Sequence, residues 1–521
     1  MSYRIDETNK EIGRDVKSCE SMTKGSLLFE EQSFASIPLS LTSNLCMLCC
    51  SSLVEKQATT TTTPTEKTAV TSSVECTYGC GYKFCTEKCM SDIVHQLECS
   101  FINRTEQASR EEGIDLYFAL LLLRILIKKH VENDRFNETV GRLSSNREAF
   151  KTNNPTWLAK QQRFADTLNK YLVNDKVEES LLSFFDHDEI VNTACTIITN
   201  SFGETSNNTT ITNGFFYQAA LLNHSCQPNA FFSFNGDKLQ MRVVKDMDKD
   251  DSIYDSYVDL LLPTYERQLG LLKSKNFFCQ CKRCSTREDC HLSSINCVGK
   301  DCQSWIAPLI GKKENKEDGS TSLTVTWGCD DCTGTASESH VKNIQDQLVS
   351  FTKYLEKRSY RENADRFVEQ ASVTMAQLEN KIHKNHHARL QYHLHMSNAY
   401  IKLQQFNESI YHAKVVKRLV KNVLQCDRGE LVDCYKTIGQ LFEQLFIWCV
   451  SQRMNAQEQQ SNTIVSPQAM RNYLAESHKY YLKAHQVASI CYGQDHQQST
   501  NLQSLIKKTD ITMAAVTITP N

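Results

Sequence analysis

The chain has 521 residues, of which 40% are apolar and 23% charged, the balance of an ordinary globular protein of about three domains. Lys+Arg 58 against Asp+Glu 61 gives a formal charge of -3, which argues against a protein whose main business is gripping nucleic-acid phosphates. The longest apolar run, Leu116–Ile127, is interrupted by Arg124 and is too short to cross ~30 Å of hydrocarbon. With a polar, acidic opening stretch where a secretory signal would be basic and then apolar, the expectation is a soluble intracellular protein, cytoplasmic and/or nuclear, with no membrane partner.

In a reducing compartment, 23 cysteines point to thiolate–metal chemistry in preference to disulfides. Nineteen of them precede position 335, so the chain divides into a cysteine-rich front and a cysteine-poor back. Short β-like runs over 1–45 lead into Cys46-x2-Cys49 and then, after a Thr-rich stretch, Cys76-x3-Cys80-x4-Cys85-x3-Cys89-x5-His95-x3-Cys99. Seven thiols and one imidazole suffice for two tetrahedral zinc ions, and a close pair lets one tight turn chelate one ion. Four polar stretches, Ser51–Val74, Gly203–Asn213, Gly311–Ser322 and Asn455–Gln468, read as surface loops inserted within domains, being too poor in apolar surface to offset their ordering entropy. Residues 111–185 are predicted mostly helical: Ile114–Lys129 is apolar on a wide face, and Trp157–Val173 follows a proline start.

Residues 190–262 return to β-like runs, in which Ala230–Phe234 and Leu239–Val244 flank Asn235-Gly236, a pair suited to a hairpin turn. Cys279-x-Cys281-x2-Cys284 follows, one ligand short of a tetrahedral site. Cys297-x4-Cys302 with Cys329-x2-Cys332 resembles a zinc ribbon with a widened first knuckle, whereas Cys19, Cys50, Cys195 and Cys290 fit no set. From Ser337 the pattern is helical. Tyr392–Leu403 and Asn407–Val420 make a pair joined at Gln404–Phe406, with Ala399 and Ala413 allowing close approach, and Tyr473–Ile490 repeats the flavour. Tetratricopeptide-type repeats and an irregular bundle fit this pattern equally.

The segment Leu221–Ala230, LLNHSCQPNA, resembles the NHSCxPN signature of SET-domain lysine methyltransferases. Ser252–Asp259, SIYDSYVD, resembles that family's second signature, a strand ending in a tyrosine, and FFCQCKRC its post-SET cysteine cluster. With the eight-ligand cluster lying between an N-terminal strand region and a helical insert, the chain is similar over nearly its whole length to the SET and MYND domain-containing family. The resemblance implies an α+β multidomain protein. The N-terminal part of a split, β-rich SET domain (1–45) is followed by a MYND-type zinc finger (46–99), a helical SET insert (100–190) and the core SET domain (191–262). A post-SET zinc cluster (263–290), the ribbon-like segment (291–335) and an all-α tetratricopeptide-like C-terminal domain (336–521) complete it.

Carried over residue by residue, the resemblance assigns one zinc to Cys46, Cys49, Cys85 and Cys89, and a second to Cys76, Cys80, His95 and Cys99. Beside the fourth set that spacing alone suggests, Cys297, Cys302, Cys329 and Cys332, the resemblance joins Cys226 to Cys279, Cys281 and Cys284 around a third zinc. It implies S-adenosylmethionine (SAM) as methyl donor and a protein substrate with an exposed lysine, histone or non-histone. Tyr257 is the catalytic candidate, its hydroxyl aimed into the transfer site. Gly13, Arg14, Asn223, His224, Tyr257 and Phe277 are the cofactor-binding candidates, with Phe277 stacking on the adenine, and Phe202 and Phe216 line the lysine channel. Asp15 departs from the family's Gly-x-Gly turn: a Cβ there restricts positive φ, and the carboxylate would repel that of SAM. Asp255 stands where the strand before the tyrosine carries an apolar residue. Two functions follow: an active SAM-dependent protein-lysine N-methyltransferase, favoured by the retained NHSC segment, Tyr257 and Phe277, or a scaffold with weak or no catalysis, favoured by Asp15. The scaffold would bind partner peptides through the MYND finger and the C-terminal helices; nucleic acid is not expected as the main ligand of either.

Overall fold

The computed structural model describes residues 2–7, 14–40, 44–53, 73–173, 185–206, 209–235, 238–286, 289–299, 301–315, 317, 319–329, 331–332, 337–458 and 465–518. Strands from the two ends of the first 260 residues interlace. Leu27–Gln32 runs antiparallel to Lys238–Val243, which in turn pairs with Ala230–Asn235. Ala35–Pro38 pairs with Thr209–Phe215, itself hairpinned to Ser201–Ser206, and Tyr254–Asp255 runs parallel to Asn223–His224. Such long-range pairing holds together a domain whose two halves are separated in sequence by helices.

Two stretches expected as loops are strands. Gly203–Asn213 falls within the hairpin Ser201–Ser206 and Thr209–Phe215. Its Thr- and Ile-rich run suits extended backbone, and pairing with the buried strand Ala35–Pro38 outweighs its low hydrophobicity. At Gly214 a Cβ would lie 2.9 Å from the Phe216 ring and 3.1 Å from Ser36 Cβ, so only glycine lets this sheet close. Half of Gly311–Ser322, at its two ends, likewise lies in the paired strands Trp305–Glu314 and Thr321–Cys329, and its middle connects them. In the predicted hairpin, Asn235 is the last paired strand residue, opposite Lys238; its turn and most of Ser51–Val74 lie outside the described residues.

The helical insert is built on the antiparallel packing of Ile93–Glu112 against Leu116–Val131. Asp92 and Asp115 cap them by accepting from the Val94 and Phe118 amides, and Lys128, Lys129 and His130 close the second helix against its dipole. Arg124, which interrupts the apolar run, is 1% exposed. Its Nε donates to Glu98 Oε2 at 2.9 Å and its Nη2 to Glu98 Oε1 at 2.5 Å, while Nη1 donates to the carbonyls of Ser36, Met47 and Leu48. One guanidinium thereby ties both insert helices to the N-terminal strands and the first cysteine knuckle.

The back of the chain is helical as expected, including His387–Lys402 against Phe406–Leu424 and Gly429–Glu458 against Pro467–Cys491. It docks on the strand Ala230–Asn235: the Tyr492 ring lies 5.7 Å from that of Phe231, His496 Nε2 is 2.7 Å from the Phe234 carbonyl, and Asp427 pairs with Lys24 at 2.9 Å. Among the described residues no helix is long and apolar enough to cross a membrane. Arg124→Leu should cost about 3–5 kcal/mol in denaturant unfolding, because it strands a buried Glu98 carboxylate. Adding Glu98→Leu should recover part of the loss; a single-variant cost below ~1 kcal/mol would contradict the structural role of the pair.

Candidate active site

Seven separate stretches of chain wall one cleft of about 580 Å³. Arg14 comes from the start of strand Asp15–Ser18; Ser144 and Asn146 come from the insert; Thr199–Gly203 comes from the end of helix His187–Asn200 and the strand after it. Asn223 and Tyr257 flank the short parallel pair Asn223–His224 and Tyr254–Asp255, and Lys275 and Phe277 follow from the end of helix Thr264–Lys275. Asn276 between them adopts a left-handed φ of 59°, a conformation Asn tolerates, and this turn ends the helix so that both neighbours reach the cleft. Among the described residues, no aspartate or glutamate lines the cleft.

The walls are pinned by hydrogen bonds. Asn223 Nδ2 donates to the Arg14 carbonyl at 2.5 Å, closing the gap between N-terminal and core segments. The Tyr257 hydroxyl donates to the Leu222 carbonyl and the Tyr257 amide donates to His224 Nδ1 at 3.0 Å. Burial raises the Tyr257 phenol well above its ordinary range, so it stays neutral. Burial also lowers His224 to about 4. With Nδ1 accepting, the neutral ring carries its proton on Nε2, which lies 3.3 Å from Cys226 Sγ. His224 therefore bridges Tyr257 and a thiol cluster.

Four clusters converge, each with its ligand atoms within 4.8 Å of one another: Cys46, Cys49, Cys85 and Cys89; Cys76, Cys80, His95 and Cys99; Cys226, Cys279, Cys281 and Cys284; and Cys297, Cys302, Cys329 and Cys332. Zinc–thiolate bonds of ~2.3 Å set a tetrahedral sulfur–sulfur edge of about 3.8 Å. The separations Cys49–Cys85 3.6 Å, Cys76–Cys99 3.6 Å, Cys226–Cys284 3.5 Å and Cys302–Cys329 3.7 Å approach that edge and far exceed a disulfide. The surroundings suit bound thiolates. Fully buried Arg267 donates from Nε to Cys226 Sγ at 3.2 Å and is itself anchored by Asp289 at 2.7 Å. His95 lies 3.3 Å from Cys76 Sγ through Nε2 and 3.7 Å from Glu98 Oε1 through Nδ1, linking that cluster to Arg124.

The cleft gathers Arg14, Asn223, Tyr257, Phe277 and Phe202, but not every predicted residue. Phe216 is 1% exposed and stands behind Phe202, ring centroids 6.3 Å apart; its place in the core, set by the Gly214 close approach, removes it from the channel wall. His224 does not line the cleft either, because its ring is turned toward Cys226. Gly13 lies outside the described residues. Asp15 lies in extended backbone opposite Asp6, not at positive φ, and its Oδ2 accepts from the Ser252 hydroxyl at 2.6 Å. One carboxylate oxygen is thus engaged, the other is buried without a hydrogen-bond partner, and Asp15 does not line the cleft. Sequence reasoning missed Lys275, Arg267 and Glu98. A charged residue at a helix end or on a helix face carries no local sign of burial; only Arg124 breaking an apolar run signalled a buried partner.

A model of the SET domain family matches residues 87–258. SET domain-containing protein SmydA-8, isoform B, of Drosophila melanogaster is 25% identical over 53% of this chain and 56% of its own length. N-lysine methyltransferase SMYD2-B of Danio rerio is 44% identical over 14% of this chain and 17% of its own, and N-lysine methyltransferase SMYD2 of Homo sapiens is 32% identical over 20% and 25%. The chain thus spans about half the length of SmydA-8 and a quarter or less of those SMYD2 relatives. A solved structure of the SET domain of LSMT bound to lysine and AdoHcy aligns over 99% of this chain and 88% of its own, with 9% identity and a TM-score of 0.32, too slight a likeness to argue from. The domain match falls on the segment whose strands interlace with the N-terminal ones, so this part of the chain has a SET-domain fold. In sequence the chain is similar, over parts of its length, to SmydA-8 and to the SMYD2 N-lysine methyltransferases.

Asp255, at the foot of the strand leading to Tyr257, has both carboxylate oxygens buried without a hydrogen-bond partner. Burial raises its carboxyl from 3.8 to about 7, against the opposing charge of Arg428 from the helical region. The native state therefore keeps a proton that the unfolded chain loses, and stability falls as pH rises from 3.8 through about 7. Asp255→Asn cannot ionise, so denaturant unfolding should show it gaining on wild type across that window, by of order 4 kcal/mol in full. A difference that stays flat with pH would contradict the buried carboxyl.

Proposed function

We propose that this chain is a SAM-dependent protein-lysine N-methyltransferase. The observation that carries the reading is the cleft in which Arg14, Asn223, Tyr257 and Phe277 meet from separate stretches, with no acid among its described lining residues. The residues fit the cofactor: an aromatic ring for the adenine, a side-chain amide, and a guanidinium for the methionine carboxylate. When bound, SAM supplies an electrophilic methyl on a sulfonium.

The chain contributes position and polarity. Arg14 and Asn223 orient the cofactor and Phe277 flanks its base. The Tyr257 ring borders the transfer site, held from two sides through Leu222 and His224. Phe202, 8% exposed, and Phe232 narrow the approach of a substrate lysine. A lysine amine, ordinarily near ~10.4, must be neutral to react, and a cleft with no carboxylate among its described lining residues favours that form. Residues 46–99 form a MYND-type finger holding two zinc ions, the Cys226 cluster a post-SET zinc, and Cys297, Cys302, Cys329 and Cys332 a fourth, ribbon-type site. The C-terminal helices form a tetratricopeptide-like array for partner peptides. The scaffold reading loses its main support with the engagement of Asp15 by Ser252.

Elemental analysis of purified protein should return four zinc ions per chain; one or none would contradict the clusters. With labelled SAM and a panel of protein substrates, Tyr257→Phe should keep its zinc and fold while methyl transfer falls roughly ten-fold or more, the scale of a positioned polar group. Transfer at the wild-type rate would remove Tyr257 from the role. No transfer by wild type to any substrate, with no SAM bound, would favour the scaffold.

A further inference from the structure

The cleft already contains a lysine. Lys275 lines it together with Tyr257 and Phe277, and its ammonium nitrogen lies 5.3 Å from the centre of the Tyr257 ring. Its partners are unusual for a lysine. Nζ donates to the Ile198 carbonyl at 3.1 Å and to the Thr199 carbonyl at 2.5 Å, and among the described residues it makes no ion pair with a carboxylate. Exposed lysines here pair with acids, as Lys238 does with Glu30 and Lys508 with Glu443. Desolvation with no compensating anion lowers the Lys275 amine to about 8.

The geometry suits a nucleophile. A neutral amine has two N–H bonds and one lone pair. Two carbonyls accept the two N–H bonds, and a carbonyl has no proton to offer the lone pair, so the lone pair is left free. Backbone on the Ile198–Thr199 side and the Asn276 turn hold the amine in place through two N–H donations that a neutral amine keeps. A resident amine so fixed needs no encounter with a second molecule and has the advantage of an intramolecular acceptor.

Resting on the reading of this cleft as a SAM site, we propose that Lys275 is an internal methyl acceptor, methylated in cis within the transfer cleft. The Lys275 nitrogen lone pair forms the N–C bond as the methyl–sulfur bond of SAM breaks. The breaking pair stays on sulfur, S-adenosylhomocysteine leaves, and the proton of the resulting secondary ammonium passes to solvent. The same side chain stands beside Tyr257, so an incoming substrate lysine must share the cleft with it.

Purified full-length chain incubated with methyl-labelled SAM, digested with chymotrypsin and mapped by mass spectrometry should carry label on the Lys275 peptide. The fraction modified per unit time should not change on dilution, as a reaction in cis requires, and Lys275→Arg should carry no label there. Independently of turnover, S-adenosylhomocysteine should shield Lys275, but not exposed Lys238, from acetylation by acetic anhydride. Calorimetry of SAM with wild type and Lys275→Arg separates the two levels of the argument. If both bind SAM but the Lys275 peptide stays unlabelled and unshielded, the internal acceptor is overturned and the cofactor site stands. If neither binds SAM, the cofactor site falls and the acceptor with it. A labelling rate that falls in proportion to dilution would overturn transfer in cis.

Discussion

The site depends on Cys226. Its sulfur stands 3.5 Å from Cys284, 3.3 Å from His224 Nε2 and 3.2 Å from Arg267 Nε, so one thiol joins the core strand segment to a cysteine cluster more than fifty residues further along the chain. Two consequences reach the cleft. Fixing Cys279 fixes Phe277 two residues before it, and orienting His224 fixes the Tyr257 amide. A metal at this cluster would bear directly on the cofactor walls, which is why it lies in the argument for chemistry and not only in that for stability.

A second set of polar anchors does the corresponding work at the front of the molecule. Arg124 and Glu98 are both fully buried and mutually bidentate, an arrangement that is costly to desolvate and costly to break from one side. Through His95 the pair reaches the second cluster of the finger, and through three backbone carbonyls the first knuckle and the strand Ala35–Pro38. The cysteine finger is thus tied to the insert and the split sheet by charge. The helical region is tied more loosely, by ring contacts at Phe231, a surface ion pair at Asp427 and the buried face-off of Arg428 with Asp255.

Much of this was legible in the order of residues. Close cysteine pairs marked the ligand clusters, the resemblance divided them into sets and added Cys226 to the third, and the NHSC segment with Tyr257 and FFCQCKRC located the cleft. The helices of the insert and of the back half followed from their apolar faces. What escaped depended on neighbours far along the chain. Gly203–Asn213 looks like a polar loop until its strands pair with each other and with Ala35–Pro38, and Phe216 looks like a channel residue until Gly214 draws it into the core. Asp15 looked hostile to a cofactor because its partner, Ser252, lies 237 residues away. Lys275 gave no sign at all, since its significance lies in two carbonyls at the end of another helix.

The central claim is that metal-held segments assemble one cofactor cleft from separate parts of the chain. Calorimetric titration of SAM into the purified protein, before metal removal by a strong chelator, after it, and again after zinc is restored, tests this most directly. The account predicts one SAM site per chain, lost on stripping and recovered with zinc. Unchanged SAM affinity in the metal-free protein would contradict it.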